Sequence, residues 1–466
     1  MAISEDGRPG EQTSGAAEAE AETRTEVPGI TLDEATLQLI ESTLGLDFVS
    51  YCVASTEEDL SARFRGEKLF STPAEQVLIA LADLSLRVVR QAAAQKVPTD
   101  LLWDLLAVRD ADNKMTPVQA TRRGVGGLVL EPSHENKLVE ALQRIAVQVF
   151  PILLIPPSDD FPRFHTSLTR PLMSYPETPR AVQAISEDVD LRRLCLLPQD
   201  KDQIPQEFLA HGLIENIIIY AFSKVILDLQ AMPSLEQFCA EIPNSVSTTK
   251  SLVQGKSVSL PVLVGLGNVK LPSGTVIESK AGRLSEYLSI YDRWSPSQLR
   301  NKQINHHSDR GAYQFNRVGD IVVRMNAKFR VKMTPLGVED MGLWRMMPAD
   351  AKALSAAQTT IFLAATLAIE HEPPIALYPT WNVGLSPLMS PLPQSNVNER
   401  RAIAPLCALT EQEALEWKKW ISHISKVGHT GVEVAARRIQ LALAERDSPV
   451  DRFVDSIIAW EGLIRE

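Results

Sequence analysis

Hydrophobic positions follow a helical period over the first half of the chain and a strand-like one in the middle, then return to the helical period near the end. Residues 74–95 (AEQVLIALADLSLRVVRQAAAQ) carry apolar side chains three and four apart and predict an amphipathic helix. A shorter helix is predicted near 99–108, another over 135–150, and a long, mostly buried one over 206–230. The Pro-rich run 151–179 should break regular structure. Thr31 with Glu34 has the spacing of a capping box and opens a short helix. In the middle, SVSLPVLVGLGNVKLPSGTVIES predicts a hairpin about its Ser-Gly turn, and VGDIVVRMNAKFRVKM alternates like one long strand. AAQTTIFLAATLAI is read as a helix on its Ala content. The expected fold class is α+β: a tail over 1–28, a mainly helical region over 29–245, a β-containing region over 246–372, a Pro-rich linker over 373–405, and C-terminal antiparallel helices over 406–466.

Three helix starts with matching chemistry mark that last region. Thr410 with Glu413, and Thr430 with Glu433, are capping-box patterns opening helices to about Lys426 and Glu445. Ser448 is the expected N-cap of a third, with Pro449 at its first position and Asp451 able to return a bond. On this helix Phe453, Val454, Ile457, Ile458, Trp460 and Ile464 form an apolar stripe. Glu461 falls on the stripe, while Asp451 and Asp455 fall on a more polar side. If the stripe packs inward, a buried Glu461 costs several kcal/mol unless a cation or donor faces it.

Composition narrows the functional classes. The chain has 466 residues, enough for two or three domains, and a hydrophobic fraction of 44% supports real cores. The net charge of −11 includes seven acids against two arginines in residues 1–30, so overall charge gives no case for wholesale nucleic-acid binding. Four scattered cysteines, with no pair at metal spacing, predict neither a disulfide framework nor structural zinc. The N-terminus is not a signal peptide, and no apolar run is long enough for a bilayer, so a soluble cytoplasmic protein with no membrane partner is expected.

Other candidate chemistry is sparse. Arg300 and His306, separated by five residues, form a candidate pair, although about one such spacing arises by chance. Residues 293–317 interleave Arg293, Arg300, Lys302, Arg310 and Arg317 with Trp294, Tyr313 and Phe315, the composition of a single-stranded nucleic-acid surface or of a charged loop. His306, His307 and Asp309 make a poor metal site, because adjacent histidines seldom chelate one ion. The glycine clusters GVGGL and GLG lack a phosphate-loop pattern and fit turns. No metal and no cofactor are expected.

The series ARRIQLALAERDSPVDRFVDSIIAWEGLI resembles the front half of the HEPN domain in the Apea-like family, common in bacterial proteins. The matching residues are Arg437, Arg438, Asp451, Asp455, Ala459, Trp460 and Glu461. The resemblance implies a helical bundle that dimerises and, in nuclease members, cuts RNA without metal through an Arg and a His on a later helix. It makes Arg437, Arg438, Asp455 and Glu461 the candidate remnant site. The chain closes five residues after Glu461, so the resemblance also implies that the catalytic helix is absent and nuclease turnover with it. RNA and a second copy of the chain, joined through the C-terminal helices, are the expected partners. The alternative is a non-enzymatic binding or scaffold protein using those helices as its interface.

Overall fold

The computed structural model of the protein describes residues 30–92, 116–124, 127, 130–157, 168–195, 206–295, 303–308, 311–316, 319–333, 344–369, 377–395, 407–427, 433–442 and 448–464. The expected tail over 1–28 and the helix near 99–108 lie outside them. In chain order the helices are α1 (Glu34–Leu44), α2 (Leu46–Val53), α3 (Glu57–Phe64), α4 (Thr72–Ala92), α5 (Pro117–Gly124), α6 (Lys137–Leu154), α7 (Thr169–Ser174), α8 (Thr178–Glu187), α9 (Arg192–Cys195), α10 (Gln206–Leu229) and α11 (Leu235–Val253), then α12 (Ala351–Ala368), α13 (Glu411–Val427), α14 (Glu433–Gln440) and α15 (Pro449–Ile464). The strands are β1 (Val258–Gly267), β2 (Val269–Lys270), β3 (Val276–Glu278), β4 (Arg283–Glu286), β5 (Gln303–Ser308), β6 (Gly311–Asn316), β7 (Ile321–Met333), β8 (Trp344–Pro348), β9 (Tyr378–Gly384), β10 (Gln394–Ser395) and β11 (Cys407–Ala408).

The main sheet runs β10-β9-β1-β7-β4-β3, with β8 also on β7 and all these pairs antiparallel. Two layers cover it. Leu260, Leu263, Val322, Val331 and Trp381 join the core of the N-terminal helices; Val262, Val264, Val323 and Met325 join α12 and α13 on the other face. This explains why β1 is a nearly unbroken apolar run: a strand covered on both faces has no polar side to show. Gly265 sits against the indole of Trp381, where any Cβ would lie 2.2 Å from Nε1, so glycine is needed at this crossing.

The hairpin expected about Ser273 and Gly274 is corrected. The turn exists, closed by Thr275 N–H to Pro272 carbonyl at 3.0 Å, but its flanks do not pair. Strand β1 has β7 and β9 for neighbours, and β3 pairs with β4. The segment expected as a linker carries β9 and β10, and Trp381 is fully buried there. Pro379 is tolerated in β9 beside a register shift against β1.

Caps confirm some starts and move others. Thr410 and Glu413 bond reciprocally, the Glu413 N–H to Oγ1 at 3.2 Å and the Thr410 N–H to Oε2 at 2.7 Å. Helix α1 is capped by Asp33, which accepts the Thr36 N–H at 2.9 Å, so the cap is not Thr31. Helix α6 runs through Pro151 to Leu154, a turn beyond the expected break.

Candidate functional site

The C-terminal helices do not form one three-helix package. Helix α13 belongs to the sheet layer: Trp417 is fully buried and donates its indole N–H to the Ile361 carbonyl of α12 at 3.0 Å. Helices α14 and α15 pack on each other, and α14 also leans on α12. Ser448 starts α15 as expected, receiving the Asp451 N–H on Oγ at 3.4 Å and the Arg452 N–H on its carbonyl at 3.0 Å.

One ion pair joins the two helices. The Arg438 Nη1 lies 2.6 Å from Asp455 Oδ1, and the Asp455 side chain is only 3% exposed. An enclosed carboxylate gains from a cation this close, and removing the cation costs stability. Around the pair the packed residues are small: Ala435 on α14 and Ala459 on α15 are both buried. Small side chains at a helix crossing let the axes approach.

This geometry reverses the expectation for the two acids. Asp455, assigned to the polar side, is the inward one; Glu461, assigned to a packed stripe, is exposed. The apolar stripe exists, but it faces out. Phe453 and Trp460 are 66% and 67% exposed, Val454 and Ile457 continue the ridge between them, and Val450 extends it one turn earlier. The helical period correctly groups these residues on one face, and the Asp–Arg pair together with the alanines decides which face turns in. Of the four candidate site residues, the fold brings Arg438 and Asp455 together and leaves Glu461 apart. Arg437 lies on α14, and its side chain falls outside what is described.

The second candidate cluster is only partly in view. Arg300 lies outside the described residues; His306 sits in β5 opposite Tyr313 of β6. The basic and aromatic composition of 293–317 loses its first two members as surface groups. Trp294 is buried, with its indole N–H on Ser223 Oγ at 3.2 Å. Arg293 donates to the Leu153 and Leu154 carbonyls at the end of α6, at 2.6 and 3.1 Å, and burial draws its pKa down to about 10 despite the nearby Asp47 and Asp292. It serves the last turn of a helix.

All four cysteines are free and buried. Burial pushes the Cys195 thiol up to about 11 and that of Cys239 to about 12. No group of His, Cys, Asp and Glu among the described residues is placed to hold a metal, and no described helix is long and apolar enough to cross a membrane.

One polar cluster gave no signal in the sequence. Arg283 and Arg324 stand opposite each other on β4 and β7, with Lys280 and Lys328 beside the same cavity. Cross-strand register, not spacing along the chain, assembles them. No protein-family model, no curated protein and no solved structure matches this chain.

Proposed function

We propose that this chain is a HEPN-type protein of a bacterial RNA-targeting defence or stress system, and that its C-terminal helix pair acts by association with a second copy of the chain and not by cutting RNA. The family part rests on the residue pattern of Arg437, Arg438, Asp451, Asp455, Ala459, Trp460 and Glu461. The association part rests on one observation: an apolar ridge held outward beside a buried ion pair. A lone amphipathic helix gains by turning its oily face inward. Here the Arg438–Asp455 pair fixes the opposite face inward, so the outward ridge is built into the fold.

A ridge of this kind suits a two-fold contact, in which the same patch meets itself and large aromatics supply the anchors. Asp451 and Arg452 are exposed on the same helix and can form a polar rim. The two acids are poorly placed for joint proton transfer, since Asp455 is held in its ion pair and Glu461 is exposed.

Light scattering of the purified chain, with a parallel incubation with single-stranded RNA, tests both parts. The expected result is a mass of two chains and intact RNA. A one-chain mass overturns the association, and RNA cleavage abolished by Glu461→Ala overturns the non-cutting role.

A further inference from the structure

Strand β7 has β1 along one edge for most of its length, but its other edge is interrupted. Strand β4 leaves it at the pair Arg283 and Arg324, and β8 joins it at Phe329 and Pro348. Between these pairs, Met325 to Lys328 have no strand on that side among the described residues. Alternate residues of the gap turn their backbone into it. Asn326 stands opposite Pro261, whose carbonyl accepts the Leu385 N–H at 3.0 Å on the far side of β1. In an antiparallel ladder a residue sends its N–H and C=O to the same edge, so Pro261 and Asn326 are a non-hydrogen-bonded pair. The Asn326 N–H and C=O therefore point away from β1, into the gap.

The gap is too short for strand addition. Four residues span about 13 Å, and chain closes both ends. At one end the Ser279–Gly282 turn presses on β7 so closely that a Cβ on Gly282 would lie 2.9 Å from the Arg324 carbonyl oxygen. At the other the Ala349 N–H bonds the Lys328 carbonyl at 2.6 Å. What remains is a cavity of about 580 Å³, the size of a small-molecule site.

Its lining is two-sided. Met325, Leu354 and Ala357 give an apolar wall at the start of α12. Lys280, Arg283, Arg324 and Lys328 supply four cations against two acids, Glu278 and Asp350. Both acids are weakly available. Asp350 caps α12 by accepting the Ala353 N–H at 2.9 Å, and Glu278 is largely exposed and 3.5 Å from Arg283. The two arginines are direct cross-strand neighbours of like charge, an arrangement that repels. The end of α10 relieves part of it: Arg324 donates to the Leu227 carbonyl and to Asp228 Oδ1, each at 2.6 Å, and Arg283 to Gln230 Oε1 at 2.8 Å. The Nε of Arg283 is enclosed and has no hydrogen-bond partner in the fold. Being enclosed, it does not open onto the cavity, and it adds to the cost of holding the two arginines together.

We infer that this break in the sheet binds a phosphate-bearing ligand of nucleotide size, its phosphates on the Arg283, Lys280 and Lys328 side and its flat apolar part on Leu354 and Ala357. Guanidinium and ammonium groups around an anion give the strong, charge-assisted contacts phosphate prefers. The inference is independent of the association of α15.

Calorimetric titration of the full chain with ADP tests it, beside the double variant Lys280→Glu/Lys328→Glu. Both lysines are exposed, so the variant keeps the fold, which its unfolding curve verifies. Binding of ADP that weakens at least tenfold in the double variant and falls as salt rises is the expected result. Absence of binding at millimolar ADP, or binding that the charge reversal leaves unchanged, overturns the proposal.

Discussion

Strand β1 and helix α15 are both strongly apolar and meet opposite fates. From Leu260 onward every residue of β1 is buried, whereas Val450, Phe453, Val454, Ile457 and Trp460 along α15 are exposed. The cause is the number of neighbours. Strand β1 has a strand on each edge and a helical layer on each face; α15 packs against α14. Apolar surface in the sheet is consumed by folding, and apolar surface on α15 stays exposed. Periodicity identifies which residues share a face, and the competing face decides whether that face is covered.

The comparison breaks most sharply at its buried end. Trp381→Ala empties the space over Gly265 and is expected to cost about 3–5 kcal/mol in urea unfolding. Gly265→Val is expected to be comparably damaging, since its first side-chain atom meets the Trp381 indole. A small change in either variant would mean that the sheet is not the stable unit.

Arg438→Ala acts on the other region. It removes the cation 2.6 Å from the enclosed Asp455, and a loss of about 1–3 kcal/mol is expected. The loss should be local, seen as faster amide exchange in α15 while β1 and β7 keep their protection. Equal loosening of both regions would show that they unfold together.

Acid response should set apart two carboxylates that lie beside β7. Burial pushes the Asp320 carboxyl up to about 6, against the pull of Lys270 and the Asn268 N–H. A carboxyl raised in the folded state binds protons that the unfolded chain has released. Its contribution is therefore fully present below the unfolded value of 3.8 and lost as pH rises through about 6. Asp228 runs the other way. Burial alone would raise it, but bonds from Lys224 and Arg324 outweigh burial and lower it, so its contribution holds at neutral pH and is lost in acid. Asp320→Asn should flatten the fall in stability toward neutral pH, measured as midpoint against pH. An unchanged slope would contradict this account of Asp320.

Much of the frame was legible because its signals are local. The long apolar run of α10, the alternation of β7 and the Thr410–Glu413 box each lie within one element. The errors concern choices made between distant parts. Strand β9 is masked by Pro379 and its Pro-rich surroundings, yet it is fixed by pairing with β1. The hairpin failed because β1 had better partners far along the chain. Among the candidate residues, Arg438 and Asp455 come together, but Glu461 does not join them. The inward face of α15 is set by one charge and small residues, which carry little weight in a hydrophobic pattern. The cation cluster about Arg283 and Arg324 is assembled by strand register alone.

The smallest expected effect on folding and the most direct test meet in one variant. Ile457→Glu with Trp460→Glu places charges on side chains that are already exposed, so stability of the single chain should move by no more than about 0.5 kcal/mol for each change. Sedimentation equilibrium of the wild type across a dilution series, beside this double variant, decides the central claim. The account predicts reversible two-chain association of the wild type and a single-chain species for the variant at every concentration. A wild type that stays single throughout, or a variant that associates as strongly as the wild type, would contradict it.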